Sequence, residues 1–433
     1  MKKKVLIVGG GFAGISTAKT LGKANHAELE ITLIDRRNHH LFQPLLYQVA
    51  TAGLSPADIA APIRKVLSPY ENIKVLLGEV LSIHPNQNMV KTSIGDLSYD
   101  YLILACGAVH SYFGHEEWEE RAPGLKSIEQ ATELRRRVLL AFERAEHETD
   151  PQKIKALMTF VIVGGGATGV ELAGALGEIS RYTLSKNFRR IDPARTRIIL
   201  IEGGQRILKT FDPELSDKAA RQLEELGVTV WTSTRVTEID AEGVRMGDEQ
   251  LQAETVLWAA GIKASELNND LSDEKDSIGR VHVEDDLSLK SHSQIFVVGD
   301  QAHCIQSDGR VVPPLAPAAL QQGTFVAKAI LRELAGKDRG QFVYLDKGMM
   351  ATIGRSAAIA QVGNLKLSGF IAWLAWCFVH ILYLIGFRNR VMVLLQWIWS
   401  YLNFGRGARL ITQGEWRLFK DKTETKKERS SPS

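Results

Sequence analysis

The sequence predicts an α/β protein with two Rossmann-like, parallel-sheet units and a C-terminal helical region. Two observations predict the units: a short apolar strand, a glycine-rich turn and a helix open the chain, and the same succession returns at residues 159–169. An apolar, tryptophan-rich stretch at residues 369–404 predicts the helical region. An internal duplication of this kind is much more specific for nucleotide binding than a single glycine motif.

The first unit begins at Val5–Val8, an apolar run typical of a strand that is buried on both faces. The motif that follows predicts a tight turn at Gly9, close approach of backbone to a pyrophosphate at Gly11, and packing of a helix on the strand at Gly14. The next strand ends in Asp35, whose carboxylate is placed to accept both hydroxyls of an adenosine ribose. We therefore expect a dinucleotide site here; the alternative is a turn that needs glycine only for packing.

Three further segments are expected to complete this unit. Residues 38–64 predict a loop and a helix, which either lie against a bound ring system or simply cover the core. A strand follows at 73–80, and another at 99–107 ends in small residues that leave room for a ligand. Residues 38–64 contain no cysteine pair, which argues against a disulfide reductase, because its flavin needs an adjacent dithiol.

The second unit repeats the first. A buried strand at 159–163 precedes a second Gly-x-Gly-x-x-Gly motif at 164–169, and the closing strand ends at Gly261. The strand after the motif ends in Glu202, later than usual because a polar insertion lengthens the connection. Glycines follow this glutamate, so its carboxylate is expected to bind the ribose of NADH and to repel the extra phosphate of NADPH.

A third buried strand ends in Asp300, and a carboxylate at this end of a parallel strand points into the ligand crevice. The helix expected within 312–323 tolerates Pro317 in its first turn. Its small residues allow close approach to a flat ring, while Gln321 and Gln322 offer neutral donors and acceptors. Helix glutamines are usually solvated, but their position behind this strand favours ligand contact.

The C-terminal region is apolar and aromatic. Residues 369–387 have no formal charge and are near the minimum length for spanning a bilayer, while 391–404 are too short. Tryptophans, tyrosines and basic flanks suit a membrane interface. We expect membrane attachment, with in-plane helices preferred to a span; a buried core hairpin and a dimer interface are the alternatives. Residues 420–433 predict disorder.

Composition excludes several classes of protein. The 433 residues carry a formal net charge of +3, which is small for this length and does not indicate nucleic-acid binding. Cys106, Cys304 and Cys377 are far apart, and no cysteine or histidine cluster predicts a metal site or a disulfide framework. The apolar run behind the first lysines is too short for a signal peptide, so we expect a mature N-terminus in a reducing compartment.

Two nucleotide sites in one chain predict an electron relay, in which a nicotinamide passes hydride to a flavin across a crevice. Without cysteine, metal or haem carriers, the simplest acceptor near a membrane is a lipid-soluble quinone. One alternative is a sulfide:quinone oxidoreductase with Cys106 and Cys304 as sulfur carriers, although Glu202 and the second glycine motif argue against it. The other is a redox-sensing protein that binds both nucleotides as a switch.

To about residue 415, the chain closely resembles the type II NADH dehydrogenases, the single-subunit NADH:quinone oxidoreductases that do not pump protons. The segments that carry the resemblance are 41–53, 164–174 and 371–410. It implies a glutathione-reductase-like FAD/NAD(P) fold with noncovalent FAD in the first unit and NADH in the second. The predicted FAD-binding residues are Gly9, Gly10, Gly11, Phe12, Ala13, Gly14, Asp35, Arg36, Val80, Gly107, Asp300 and Ala319. The predicted NADH-binding residues are Gly164, Gly166, Gly169, Glu202 and Gly261.

The resemblance also implies catalytic and quinone-site residues. Glu171 matches a family glutamate near the nicotinamide and flavin, with an orienting or proton-handling role; its alternative is a helix N-terminal carboxylate stabilised by the dipole. Gln321 is the second predicted catalytic residue, and Pro317, Gln321 and Gln322 form the predicted quinone site. The family motif is usually Ala-Gln-x-Ala-x-Gln, whereas here Pro317 replaces the first glutamine. We therefore expect either that Gln321 acts with backbone groups and water or that the quinone preference differs.

The predicted domains are an FAD-binding domain at 1–120 and 281–345, an NADH-binding domain at 121–280, a membrane-attachment region at 346–415 and a disordered tail at 416–433. The expected partners are NADH, a membrane quinone, the lipid bilayer and a second copy of the chain, with no nucleic acid and no metal. The resemblance implies the cytoplasmic face of a prokaryotic plasma (inner) membrane, with peripheral or single-span attachment.

Overall fold

The computed structural model describes residues 2–403 and 405–412. The elements of the first region are β1 Lys3–Val8, α1 Phe12–Ala24, β2 Leu29–Asp35, β3 His39–Leu41, α2 Leu46–Ala50, α3 Pro56–Ile59, β4 Ala60–Pro62, α4 Ile63–Leu67, β5 Ile73–Leu77, β6 Val80–His84, β7 Met89–Thr92, β8 Gly95–Ser98, β9 Tyr101–Leu104 and β10 Ala108–His110. β1 pairs in parallel with β2 and β9, and β2 pairs with β5. Val5–Val8 are buried, as the apolar run predicts. The glycine turn therefore follows the central strand of a parallel sheet.

The structure divides two segments that the sequence predicts as single elements. The helix expected within 38–64 stops at Ile59, and β4 pairs antiparallel with β3 instead. Pro62 explains the break, because a proline disfavours helical backbone at the residue before it and has no N–H to continue the ladder. The strand expected at 73–80 ends at Leu77, and an antiparallel strand begins at Val80.

The elements of the second unit are α5 Ile128–His147, α6 Pro151–Leu157, β11 Thr159–Val163, α7 Ala167–Glu178, β12 Arg197–Ile201, α8 Pro213–Glu225, β13 Val228–Trp231, β14 Glu238–Ile239, β15 Gly243–Met246, β16 Glu249–Gln252, β17 Thr255–Trp258 and β18 Ile262–Ala264. Its parallel sheet has the order β13-β12-β11-β17, so the second glycine turn also follows a central strand. β18 pairs antiparallel with β10 and thereby joins the two units.

The chain then returns to the first unit through β19 Val281–His282, β20 Ile295–Val297, β21 Ala302–His303 and α9 Ala316–Leu334. β20 pairs in parallel with β9 and completes the order β20-β9-β1-β2-β5. α9 packs along α1, and Gly323 permits the close approach, because a Cβ there would lie 2.2 Å from the carbonyl oxygen of Ala13. This packing brings the start of α9 to the first glycine turn.

The last elements are β22 Met349–Gly354, β23 Ala357–Val362, β24 Leu365–Ser368, α10 Phe370–Tyr383 and α11 Phe387–Asn403. The three strands form an antiparallel sheet that lies against α7. The approach is so close that a Cβ on Gly174 would lie 1.5 Å from the carbonyl oxygen of Ile353. One hydrophobic core accordingly includes side chains from α7, β22, β23 and α10.

The apolar stretch at 369–387 is not one helix, because α10 ends before Leu384. Within the described residues, no helix is both long enough and apolar enough to cross a bilayer. α10 and α11 leave a row of large apolar side chains exposed: Phe370, Ile371, Leu374, Phe378, Leu382, Phe387, Leu394, Leu395, Ile398, Trp399 and Leu402. The predicted tail at 416–433 lies outside the described residues.

Candidate active site

A cavity of about 1040 Å³ lies between the two units, and we call it the main cavity. Its wall includes the first glycine turn, the start of α7 and the start of α9. The C-terminal region contributes residues from β22 and the end of α10. One space thus contacts the first glycine turn, the start of α7, the start of α9 and the C-terminal region.

The first glycine turn has the features that bind a pyrophosphate. Gly11 is the N-cap of α1, and no side chain caps this helix. The free N–H groups and the positive end of the helix dipole therefore remain available to an anion. Gly9 has a φ of +104°, and a Cβ there would lie 2.4 Å from the carbonyl oxygen of Ala105. Gly14 has the packing role expected of it, since a Cβ would meet the carbonyl oxygen of Gly9 at 1.8 Å.

The carboxylate of Asp35 is anchored beside this turn. It accepts hydrogen bonds from the backbone N–H of Gly10 at 2.5 Å and from that of Arg37 at 2.7 Å. Both oxygens keep lone pairs that can accept from a diol. The remaining predicted FAD residues that border the main cavity are Gly9, Gly10, Gly11, Phe12, Ala13, Arg36, Val80, Gly107, Asp300 and Ala319.

Asp300 borders the main cavity and interacts with the positive charges of Lys126 and Arg280. Burial raises the pKa of its carboxyl group, while the charges of Lys126 and Arg280 lower it. Lys126 also borders the main cavity, and burial lowers the pKa of its ammonium group. Reasoning from sequence missed Lys126, because a single lysine between two elements carries no motif.

The second glycine turn repeats the anchoring chemistry. Gly166 caps α7 without a side-chain partner, so the N–H groups of this helix are free as well. Glu202 accepts from the backbone N–H of Gly165 and of Gly204, both at 2.7 Å. Gly169 packs α7 on the strand, since a Cβ would lie 1.9 Å from the carbonyl oxygen of Gly164. Of the predicted NADH residues, only Gly261 borders the main cavity.

Glu171 lies one turn inside α7 and borders the main cavity. Burial raises the pKa of its carboxyl group to about 8, and a backbone hydrogen bond from Thr352 partly offsets this. The group is therefore protonated near neutral pH and is able to donate a proton. Tyr47 borders the same space, and its phenol oxygen accepts from the side chain of Gln48 at 2.9 Å.

The structure does not bring the predicted glutamines into the main cavity. Gln321 is bound to the backbone of Leu345, donating to the carbonyl and accepting from the N–H, both at 3.0 Å. Gln322 is buried and accepts from the N–H of Gly299 at 2.6 Å, which supports the turn that holds Asp300. Pro317 does border the cavity.

Two side chains at the C-terminal wall have no signal in the sequence. His380 is stacked on Trp376, and its Nδ1 lies 2.7 Å from the carbonyl oxygen of that residue. Burial lowers the pKa of His380 to about 4, so its imidazole is neutral. Lys347 donates to the hydroxyl of Tyr383 at 2.9 Å.

The cysteines do not form a pair for sulfur chemistry. Cys106 borders the main cavity, whereas Cys304 is buried in the core between α1 and α9. Burial raises the pKa of Cys106 to about 12 and that of Cys304 to about 11. Both thiols therefore remain protonated and poorly nucleophilic at neutral pH.

Comparison with known proteins identifies the family. The pyridine nucleotide-disulphide oxidoreductase family matches residues 3–323, and the NDH2 C-terminal domain matches residues 347–407. The type II NADH:quinone oxidoreductase Ndh of Mycobacterium tuberculosis is 42% identical over 427 residues, which are 95% of this chain and 90% of that protein. The chain belongs to the type II NADH:quinone oxidoreductases. NdhA of the same organism is 41% identical over 429 residues, again 95% of this chain and 90% of that protein.

Solved structures confirm the predicted fold. NDH2 from Plasmodium falciparum in complex with NADH matches with a TM-score of 0.85 at 19% identity, over 95% of this chain and 100% of that chain. The sulfide:quinone oxidoreductase of Aquifex aeolicus matches with a TM-score of 0.69 at 19% identity, over 93% and 92% of the two chains. At these identities the likeness shows only the fold.

Proposed function

We propose that this protein oxidises NADH and reduces a membrane quinone without pumping protons, with noncovalent FAD in the first unit. The observation that carries the proposal is the main cavity, because one space contacts the first glycine turn, Glu171 and the apolar wall at α9 and α10. The chemistry that FAD supplies when bound is two-electron transfer between nicotinamide and quinone. The proposed domain boundaries are 1–120 and 281–345 for FAD, 121–280 for NADH, and 346–415 for membrane attachment.

In the first unit, the free N–H groups of α1 bind the pyrophosphate and Asp35 binds the ribose. Asp300 and Ala319 then lie along the ring end of the cavity. In the second unit, α7 and Glu202 bind NADH in the same way, and the carboxylate disfavours the phosphate of NADPH. Gly107 and Gly261 border the main cavity, and we place the meeting point of the two ligands beside them.

The quinone enters where α9 and α10 border the main cavity. Side chains there are mostly apolar and include Leu315, Pro317, Leu320, Val379 and Tyr383. An apolar passage suits a lipid-soluble ring and its tail. Because the carboxamide of Gln321 is bound to backbone, we propose that it shapes this entrance, and that Gln322 acts through the Asp300 turn.

Glu171 handles the proton. Glu171 borders the main cavity, in which we place nicotinamide and quinone, and a pKa of about 8 keeps its carboxyl group protonated at neutral pH. A group with a pKa near the working pH is an efficient proton donor and acceptor.

The exposed apolar row on α10 and α11 supports attachment to a lipid surface without a span. By analogy with its family, we place the protein on the cytoplasmic face of the plasma membrane as a homodimer. Sedimentation with anionic lipid vesicles tests attachment, and protein that stays in the supernatant at low salt contradicts it. Light scattering at the same concentrations tests the dimer.

The decisive experiment mixes flavin-loaded protein with NADH anaerobically and then adds a short-chain quinone. We expect NADH to bleach the flavin absorbance and quinone to restore it over many turnovers. Bleaching by sulfide but not by NADH transfers the assignment to a sulfide enzyme. Bleaching without recovery by quinone indicates a nucleotide-binding sensor instead.

A further inference from the structure

Four aliphatic side chains on the first unit are exposed to solvent, and we call them the loop patch. They are Ile305, Val311, Val343 and Leu345. Val343 and Leu345 are 77% and 67% exposed, which is as much as Leu402 of the apolar row on α11, at 70%. A single exposed aliphatic residue is common on soluble proteins, but several on neighbouring segments mark an interaction surface.

Two segments carry the loop patch. One is the turn after β21, in which Ile305 and Val311 form an isolated antiparallel bridge. The other is the connection between α9 and β22. The side chain of Gln306 joins them, because it donates to the carbonyl oxygen of Phe342 at 3.3 Å and accepts from the backbone N–H of Tyr344 at 2.7 Å. The members of the loop patch therefore lie on adjoining segments.

The second segment is held in the core by alternate side chains. Phe342 is buried in the core between α1 and α9, and Tyr344 packs against this core. Val343 and Leu345, which alternate with them, are exposed. Successive side chains of extended backbone point to opposite sides. The packed residues thus fix the segment, so the two aliphatic side chains keep their outward direction.

The loop patch adjoins the quinone entrance proposed above. Gln321 on α9 binds the backbone N–H and carbonyl of Leu345, both at 3.0 Å. Two residues farther along, Lys347 borders the main cavity and donates to the hydroxyl of Tyr383 at 2.9 Å. The segment thus runs from the loop patch to α10, on which Leu382 belongs to the exposed apolar row. The loop patch therefore continues the row at the entrance.

The charges within the two segments of the loop patch balance. Among residues 305–311 and 343–347, the charged side chains are Asp308, Arg310, Asp346 and Lys347. Asp308 and Arg310 form an ion pair with each other. An apolar surface with balanced charges suits insertion between lipid headgroups. Its binding should depend little on salt, because salt screens charges and does not weaken hydrophobic contact.

We propose that the loop patch enters the lipid surface together with the apolar row, so that the quinone entrance opens into the bilayer itself. The inference rests on the proposed membrane attachment and quinone reduction. A quinone with a long apolar tail then reaches the main cavity without crossing water. The occupant of the patch is the lipid bilayer and not a second copy of the chain, because the patch adjoins both the row and the passage of a lipid-soluble substrate.

Fluorescent labels on introduced cysteines test the contact directly in the FAD-loaded protein. The labelled variants are Val343→Cys in the loop patch, Leu402→Cys in the row as the positive control, and Leu77→Cys on β5 as the negative control, and all three positions are exposed. A nitrobenzoxadiazole label brightens when it leaves water. The native cysteines interfere little, because burial raises the pKa of each thiol and keeps it protonated.

The vesicles contain phosphatidylcholine and phosphatidylglycerol. We expect the labels on Val343→Cys and Leu402→Cys to brighten several-fold when vesicles are added, and the label on Leu77→Cys to stay unchanged. The increase on Val343→Cys should persist at high salt.

Three other outcomes contradict the proposal. An unchanged label on Val343→Cys beside a brighter one on Leu402→Cys overturns it. Brightening of Val343→Cys with protein concentration in the absence of vesicles also overturns it, because that indicates a contact between copies. Unchanged labels on both variants refute the membrane attachment on which the inference rests, and the inference with it.

A kinetic comparison tests the consequence for quinone. Ile305→Ser/Val343→Ser removes apolar surface from the loop patch, and Leu77→Ser/Ile94→Ser is the matched control, with exposed aliphatic residues outside the main cavity wall. Exposed positions tolerate such changes, so we expect both proteins to fold. For a long-chain quinone held in vesicles, the KM of the patch variant should rise about 10-fold, because less apolar surface holds the entrance in lipid.

The patch variant should keep the wild-type KM for a short-chain quinone in solution and the wild-type rate of flavin reduction by NADH. Equal KM increases for both quinones overturn the proposal, because they indicate a damaged quinone site. An unchanged KM for the long-chain quinone also overturns it. Failure of wild-type flavin to react with NADH refutes the proposed function, and the label measurement remains a separate test of the lipid contact.

Discussion

The two nucleotide units have the same strand, glycine turn and helix, yet their turns face different surroundings. In the first unit, Phe12 follows the glycines and packs edge-on against His40 and Phe42, at centroid distances of 5.0 and 5.8 Å. In the second unit, Ala167 and Thr168 occupy the matching positions and are exposed. His40 and Phe42 of the segment after β2 cover Phe12 at the first turn, while Ala167 and Thr168 at the second turn are exposed and border the main cavity.

This difference matches two kinds of ligand. An enclosed site keeps a cofactor through many turnovers, because dissociation requires the covering residues to move. An open site lets a substrate bind and leave in each cycle. We therefore expect the same local motif to retain a cofactor in the first unit and to exchange a substrate in the second.

The largest expected effect comes from a matched pair, Gly11→Val and Gly166→Val. Both glycines cap their helices with nearly the same φ, −72° and −73°, and an added Cβ meets no protein atom closer than 4.0 Å. Each substitution therefore intrudes mainly on the ligand. We expect Gly11→Val to reduce FAD content at least about tenfold, and Gly166→Val to keep FAD but raise the KM for NADH about tenfold.

Flavin absorbance per protein and steady-state kinetics measure these two effects, and thermal unfolding checks that both variants fold. Equal loss of FAD from both variants contradicts the division of roles between the units.

The next effect concerns Glu171, where the two units meet. We expect Glu171→Gln to retain FAD and to slow the quinone half-reaction about 10- to 100-fold. In the wild type this rate should fall as the pH rises through about 8, because the carboxyl group loses its proton there, and the variant should lack this step. Stopped-flow measurements across pH test both statements, and an unchanged pH profile in the variant contradicts them.

The same pKa affects stability. The carboxyl is protonated up to about pH 8 in the folded state but only up to about its ordinary value of 4.5 when unfolded. Between these values the unfolded state binds fewer protons, so the contribution of Glu171 to stability falls as the pH rises. Glu171→Gln should remove this decrease in stability with rising pH. Thermal unfolding of both proteins at pH 5 and pH 8 measures the difference.

The smallest expected effects concern Asp35 and Glu202, the carboxylates beside the two glycine turns. Asp35→Asn should weaken FAD binding by about 1–2 kcal/mol. Glu202→Gln should weaken NADH binding by a similar free energy, which appears as a higher KM, and should reduce the preference for NADH over NADPH. Each amide oxygen can still accept one of the two backbone N–H bonds that the carboxylate accepts, whereas the amide NH2 group cannot accept the other, so thermal unfolding checks that both variants fold. Titration of apoprotein with FAD and kinetics with both nicotinamides measure the changes; loss of FAD from Glu202→Gln contradicts the assignment.

Much of the fold could be predicted because the informative residues are close in sequence. Four apolar residues before a glycine motif indicate a buried strand and a turn, and both occur at β1 and β11. Asp35 is the last residue of β2, and Glu202 comes directly after the last residue of β12. Pro62 shows the limit, because it breaks a helix that an apolar pattern favours.

The candidate site was less predictable, because its contacts join distant segments. The sequence predicts that Gln321 lies on a helix, but it does not show that the side-chain amide of Gln321 is hydrogen-bonded to the backbone of Leu345. The sequence likewise predicts that Lys126 lies in a loop, but it does not show that Asp300 is close to it. Such contacts depend on the packing of whole elements.

The C-terminal region shows the same limit on a larger scale. Its apolar residues predict burial or membrane contact, and the structure shows both, with Trp376 buried and Phe378 exposed on one helix. Its sheet packs against α7 so closely that only glycine fits at position 174.

By itself, the sequence determined the two strand-turn-helix units, the carboxylates that follow them and the apolar character of the C-terminal region, because these depend on backbone freedom and hydrophobic pattern over a few residues. Only the tertiary structure decided that the segment after β2 covers Phe12 at the first glycine turn, and that Glu171 borders the main cavity. Both depend on which distant elements pack together, and local sequence does not encode the partner of a buried face.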